Sequence, residues 1–229
     1  MQKFLDWLER VLTPLAKVIG ENKYLVAIRD GFLLSTPLLI VGSVFLLIAN
    51  FPLPQWDTWM SHLLGKDWAT MMSVPASASF DVMTILAVVG IAYSLGKQFN
   101  VDAMQAGIIA LVSFFIVTPY QTLFTPENSS KVYEVTSLPL KWMGSSGLFL
   151  GMIVALIATR LFVAIVRKGW TIKMPEGVPP TVVKSFEALI PSFLVVTLMF
   201  LVNWLAALTP YGNLQDVIFE FLQTQIGRA

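Results

Sequence analysis

The chain has 229 residues, of which 56% are hydrophobic, 12% aromatic and only 13% charged, with a mean hydropathy of +0.73. A soluble domain carries about 25% charged residues, so this composition excludes an ordinary water-facing globular surface. The net charge of +1 offers nothing to a nucleic acid, and the lack of any Cys excludes disulfides, thiolate metal sites and a Cys nucleophile. A single His without Cys leaves a structural zinc site without ligands, so neither metal nor cofactor is expected.

Residues 1–23 place Phe4, Leu5, Leu8, Val11, Leu12, Leu15 and Ile19 at helical spacing, with Lys3, Asp6, Arg10 and Lys17 largely on other faces. Asp6, Glu9 and Glu21 deny the segment a continuous apolar core, so it reads as an amphipathic surface helix rather than a signal peptide. Five apolar stretches follow. The first runs from Gly31 to Ala49 with Pro37 inside it, and the second from near Phe80 to Gly96-Lys97. The third, from about Ala103 to Val117, is short enough to be tilted, re-entrant or buried among neighbours. The fourth covers Leu148 to Val166 and the fifth Ala188 to Leu208. The expectation is an all-α polytopic membrane protein of about five transmembrane helices with amphipathic interfacial helices.

Between these spans, Trp56, Trp59, Met60, Leu63 and Leu64 make an apolar stripe, predicting an interfacial helix. Residues 119–147 form a long loop in which Lys131 to Thr136 alternates like one strand of a small hairpin. Trp142, Trp170 and Trp204 lie near span ends, as in an aromatic belt. Leu214, Val217, Ile218, Phe221, Leu222 and Ile226 form a last helical stripe before Gly227-Arg228-Ala229. Lys3, Arg10, Lys17, Lys23, Arg29, Lys97, Arg167, Lys168, Lys173 and Lys184 fall on one side of this threading, against Lys66, Lys131, Lys141 and Arg228 on the other. The bias predicts a cytoplasmic N-terminus, and an odd number of spans then places the C-terminus outside.

An ionisable residue within a span is a functional candidate by default. Arg29 and Asp30 read as a solvated pair at the start of the first helix, and Asp81 as a cap at the outer start of the second or, in the alternative, a group on a substrate pathway. Arg160 is the deepest charge. It lies six residues before Val166, about 9 Å along the helix, so it can snorkel to the interface or pair with another helix. Asn203 suits a helix-to-helix hydrogen bond. His62 falls about 120° from the apolar stripe, on the polar face, and reads as a surface His. Asn128-Ser129-Ser130 matches a glycosylation acceptor, a pattern short enough to arise by chance. No nucleotide loop, carboxylate pair, nucleophile triad, metal spacing or internal repeat accompanies these residues. No catalytic, cofactor, metal or substrate-binding residue is therefore assigned.

Val26-Ala27-Ile28-Arg29-Asp30-Gly31-Phe32, followed by Pro37-Leu38 and Val41-Gly42-Ser43, resembles the opening of the phosphotransferase system (PTS) sugar permease membrane subunit IIC, lactose/cellobiose/diacetylchitobiose family. Val101-Asp102-Ala103 through Gly107, then Val117-Thr118-Pro119-Tyr120, is similar to its third-span region. The fullest match runs from Trp170-Thr171-Ile172-Lys173-Met174-Pro175-Glu176-Gly177-Val178-Pro179-Pro180 to Ser185-Phe186 and Leu189-Ile190-Pro191.

The resemblance implies import of a β-linked disaccharide across a bacterial cell membrane. Phosphorylation then comes from a phospho-Cys on a separate IIB subunit, which IIA serves upstream. It also implies a homodimer in contact with membrane lipid. In the family the sugar-contacting His and Glu belong to a transport domain in the second half. Here the only His precedes Leu63 and lacks the family's His-Gly pair, so no site residue carries over, nor any role for Arg160. The chain looks like the N-terminal half alone: an amphipathic helix over 1–23, a scaffold and dimer-interface domain over 24–212, and an amphipathic segment over 213–229 leading to the transport domain. Residues 167–187, basic and Pro-rich, read as a stiff connector or as a hinge or arm beside the moving domain and the IIB docking face. The alternative from another class is a non-transporting dimeric scaffold or anchor protein. A small membrane enzyme lacks its acid and base.

Overall fold

The computed structural model describes residues 20–126, 131–175, 177–210 and 212–226. The stripe expected over residues 4–19, the Asn128-Ser129-Ser130 motif and the Gly227-Arg228-Ala229 terminus lie outside them.

Helix α1 spans Lys23–Ala49, 27 residues or about 40 Å. It starts eight residues before the apolar stretch because Asn22 caps it. The Asn22 Oδ1 accepts from the backbone N–H of Tyr24 at 2.9 Å and of Leu25 at 3.3 Å. Arg29 and Asp30 are therefore not at the helix start. They pair with each other at 2.8 Å in its second turn, both exposed. Pro37 does not interrupt the helix. The short interfacial helix α2 is Trp56–Leu64, with Trp59, Leu63 and Leu64 pointing outward.

The second span starts earlier than its apolar composition predicts. Helices α3 (Trp68–Phe80) and α4 (Met83–Gln98) form a 31-residue apolar unit interrupted at Asp81-Val82. Trp68 anchors its beginning: the ring is 1% exposed and its Nε1–H donates to Asp57 Oδ1 at 3.0 Å. Antiparallel to this unit, α1 uses small residues for contact. Its buried positions are Ala27, Gly31, Ser35 and Gly42. A Cβ on Gly31 would come within 2.5 Å of the Ile91 backbone nitrogen, and one on Gly90 within 2.6 Å of the Gly31 carbonyl oxygen. The two backbones touch there, the close approach that glycine permits between membrane helices.

Helix α5 (Ala103–Val117) has 15 residues, about 22 Å. Of the readings open for it, packing among neighbours holds: α4, α7 and α9 surround it and bury Ala106, Ile109, Ala110, Phe114 and Val117. Met104, Ile108 and Val112 make one outward stripe. The long loop then folds as an antiparallel hairpin of β1 (Gln121–Phe124) and β2 (Tyr133–Thr136), with Gln121 opposite Thr136 and Phe124 opposite Tyr133. A one-turn helix α6 (Leu140–Met143) and a 3-10 turn lead into α7 (Leu148–Arg167). The core runs through α4, α5, α7 and α9 and includes Ile91, Leu95, Phe114, Val154, Phe162 and Val195.

Helix α8 (Pro180–Glu187) leads directly into α9 (Leu189–Ala207), and α10 (Leu214–Ile226) closes the described chain. Four units are long and apolar enough to cross a membrane: Lys23–Ala49, Trp68–Gln98, Ser145–Arg167 and Pro180–Ala207. With the shorter α5 between the second and third, the fold is an all-α membrane bundle.

Candidate functional site

Polar chemistry concentrates at the two ends of the bundle. One end is built around the C-terminus of α4. An α-helix leaves its last carbonyls without intrahelical partners, and here each is accounted for. Asn100 adopts a left-handed φ of 57°. Its N–H reaches the Lys97 carbonyl and the Val101 N–H reaches the Gly96 carbonyl, each at 3.1 Å. This Schellman ending turns the chain into α5 and leaves the carbonyls of Gln98 and Phe99 to cations. Lys23 Nζ donates to Gln98 O at 3.3 Å, and an Arg167 guanidinium N–H donates to Phe99 O at 3.1 Å.

The Phe99 ring, 9% exposed, is the hub of this end. Lys23 lies 4.8 Å from its centroid, Arg160 5.0 Å and Arg167 5.2 Å. Arg160 is thus not isolated in the span, and among the described residues it is paired with no acid; it stacks on an aromatic ring at the bundle end, beside the other cations. Nothing in the apolar periodicity marks Phe99 as a hub, since its three cations come from α1 and α7, far away in sequence.

At the same end, Asp102 caps α5 by accepting from the Gln105 N–H at 3.0 Å and also pairs with Lys184 of α8 at 3.2 Å. These contacts, the Gln105 hydrogen bond first and Lys184 after it, hold the Asp102 carboxyl below its usual pKa of 3.8 against the opposing effect of burial. The ion pair tethers the 167–187 arm to the bundle. A cavity of about 160 Å³ lies behind it, lined by Asp102, Phe162, Val166, Lys184 and Glu187.

At the opposite end, neutral groups join the Trp68–Asp57 hydrogen bond. Gln215 of α10, 1% exposed, donates from Nε2 to Thr118 Oγ1 at 3.2 Å. Thr84 Oγ1 donates to the Gly144 carbonyl. Asn203 does not show the expected helix-to-helix bond; with Tyr120, Gln121, Thr136 and Asn213 it lines an open cavity of about 600 Å³. Asp81 does not cap α4: Val82 is the N-cap and no side chain bonds there. Asp81 sits where α3 ends, in a recess with Lys141, Ser145 and Ser146. Its carboxylate follows the α3 C-terminus, so the helix break at Asp81-Val82, which hydropathy does not reveal, decides its place.

Two further expectations are corrected. Trp142 is 5% exposed and stacks edge-on against Phe219 at 5.7 Å, so it is core rather than belt. Trp170 and Trp204, each 54% exposed, do point outward. In α10, Leu214 and Ile218 pack on the core while Phe221 faces out, because the buried Gln215 sets the helix face. His62 is exposed in the last turn of α2. Among the described residues no three His, Cys, Asp or Glu side chains gather as metal ligands.

Comparison with known proteins gives this arrangement a family. Residues 29–228 match the family model of the phosphotransferase system, EIIC. The chain is 39% identical to the PTS system cellobiose-specific EIIC component of Geobacillus stearothermophilus, covering 97% of this chain and 49% of that protein. It is also 39% identical to the lichenan permease IIC component of Bacillus subtilis (strain 168), over 99% of this chain and 50% of the relative. The crystal structure of ChbC, the IIC component of an N,N'-diacetylchitobiose-specific phosphotransferase system, superposes with a TM-score of 0.90 at 40% identity. The match covers 97% of this chain and 52% of ChbC. The chain spans about half the length of the curated relatives it matches. With a family model covering most of its residues and a fold shared at 40% identity, the chain belongs to the EIIC family of the phosphotransferase system.

Proposed function

We propose that this chain is the scaffold half of a sugar permease. In this reading the permease imports a β-linked disaccharide such as cellobiose, diacetylchitobiose or lactose. Phosphoenolpyruvate drives uptake, and the sugar is phosphorylated by a phospho-Cys of the IIB subunit, itself charged by IIA. The observation that carries the reading is the match to ChbC: it extends over 97% of this chain yet only 52% of the solved permease. Residues 24–212 supply the scaffold and a homodimer interface in a bacterial cell membrane, and 213–229 lead toward the transport domain. The basic end faces the cytoplasm, because Lys23 and Arg167 collect on Phe99, Lys184 on Asp102 and Lys97 in the last turn of α4, and positive loops stay inside. In this reading the sugar contacts belong to the transport domain, and no residue of this chain is assigned to them.

Uptake of labelled cellobiose and diacetylchitobiose by cells lacking their own permeases tests this. Cells expressing residues 1–229 alone are expected to show no phosphoenolpyruvate-dependent uptake. Co-expression with the C-terminal half of the cellobiose-specific relative is expected to restore it. Uptake by residues 1–229 alone overturns the division of labour.

A further inference from the structure

We propose that the basic end of the bundle carries a binding site for an anionic phospholipid, its headgroup held by Arg160 with Lys23 and Arg167 and its acyl chain lying against α7. The argument begins with charge. Three cations lie within 5.2 Å of the Phe99 ring centroid. Neither ion pair formed between described residues, Arg29–Asp30 and Lys184–Asp102, includes any of them. The C-terminus of α4 supplies the equivalent of about half a negative charge. Its two remaining carbonyls are occupied, one by Lys23 and one by Arg167. Arg160 makes no hydrogen bond to a described residue and has only the ring. The ring attracts each cation weakly and cannot neutralise three. The cluster therefore keeps a net positive field that an external anion would relieve.

The shape of the surroundings selects the anion. A shallow groove of about 340 Å³ opens directly beside Arg160, lined by Tyr24, Leu156, Ile157 and Leu161. Leu156 and Ile157 lie four and three residues before Arg160, one helical turn away from the basic end. Ile157 is 48% exposed and Tyr24 37%. Lining groups other than the guanidinium are carbon-rich, and they continue from the cation toward the middle of the span. A small anion such as inorganic phosphate would use the cations and leave the groove empty. A phospholipid uses both, with phosphate at Arg160 and an acyl chain along Leu156 and Ile157. Basic pockets between membrane helices are the usual seat of anionic headgroups.

Native mass spectrometry of the full-length product of the gene encoding this chain, purified in mild detergent, tests the site. The probes are phosphatidylglycerol and phosphatidylcholine of matched acyl chains. The expected result is preferential retention of phosphatidylglycerol, reduced roughly fivefold by Arg160→Gln, the loss of one basic contact near a membrane surface. Ile157→Trp, which fills the groove and leaves every charge in place, is expected to reduce retention as well. Both positions are exposed, and unchanged thermal stability of the lipid-free variants separates lost binding from lost folding. Equal retention of the two lipids, or unchanged retention in Arg160→Gln, overturns the proposal. Displacement of phosphatidylglycerol by millimolar inorganic phosphate would mark a small-anion site and overturns it too. Lost capture of a soluble phosphotransferase subunit by Arg160→Gln with lipid retention intact would make the cluster a protein dock, again against the proposal.

Discussion

Helices α1 and α7 are almost equally apolar, yet α1 buries four of its 27 residues and α7 nine of its 20. The difference lies in which residues face inward. On α7 the buried set includes Leu150, Val154, Phe162 and Val163, large side chains interlocked with α4, α5 and α9. On α1 it is Ala27, Gly31, Ser35 and Gly42, while Leu33, Leu34, Leu38 and Val41 point away. α7 adds this volume to small-residue contacts at Gly151, Ala155 and Ala158, whereas the fully buried positions of α1 are small residues alone. Inside a membrane the large residues of α1 gain little from turning inward, since lipid is as apolar as the core. Close backbone packing becomes the available attraction. The outward face is thereby left for lipid or another protein surface.

Substitutions that exchange volume should separate the two modes of attachment. Truncating α7 at its core, Phe162→Ala, is expected to cost about 3–5 kcal/mol, since the residue is 2% exposed and packed in the core. Leu34→Ala on α1, at a position 57% exposed, should change stability by well under half that amount. Comparable losses in chemical-denaturant unfolding of the reconstituted protein would break the distinction. The reverse exchange should invert the ranking. Gly31→Leu drives side-chain atoms into the Ile91 backbone and is expected to cost about 3 kcal/mol, the upper end of overpacking. A crosslink between α1 and α4 that still forms efficiently in Gly31→Leu would show that the seam is looser than its geometry implies.

The contrast also explains what could be read from residues alone. Apolar run length located α5 and α7 almost to the residue, because their boundaries coincide with Asp102, Thr118, Gly147 and Lys168. It missed the first two turns of α1 and all of α3. Asn22 and the Trp68–Asp57 hydrogen bond set those starts, and neither alters hydropathy. The alternation of residues 131–136 revealed one strand of the hairpin but not its partner, since Gln121–Phe124 is too short and too mixed to show a period. Candidate site residues were the least legible. Arg160 was visible as a charge in a span, but its partner Phe99 follows a different helix. Gln215 falls between the apolar positions of the last stripe and no spacing marks it, yet it is buried because Thr118, 97 residues earlier, offers a hydroxyl acceptor. Such pairings exist only once distant segments have met.

The deep burial of α7 has a condition attached near its C-terminus, and this is the subtlest test of the comparison. Phe162 and Val166 face the cavity behind the arm, whose Lys184 is fastened to Asp102. Because the Asp102 carboxyl sits below its ordinary pKa, its ionised form stabilises the folded state. That contribution is complete above the unfolded value of about 4 and is lost as pH falls through the lower folded value. Lys184 is 61% exposed, so the pair itself should be worth only a few tenths to about 1 kcal/mol. Asp102→Asn keeps an N-cap acceptor for Gln105 and removes the charge; Lys184→Gln removes the partner and leaves the cap. A double-mutant cycle from scanning-fluorimetry melting temperatures is expected to give a coupling of that size at pH 7. It should shrink below pH 4 and weaken with added salt. If the coupling is zero at pH 7, the arm is held by the apolar contacts of α8 and α9 alone. The last turns of α7 would then owe their burial to packing, as the rest of that helix does.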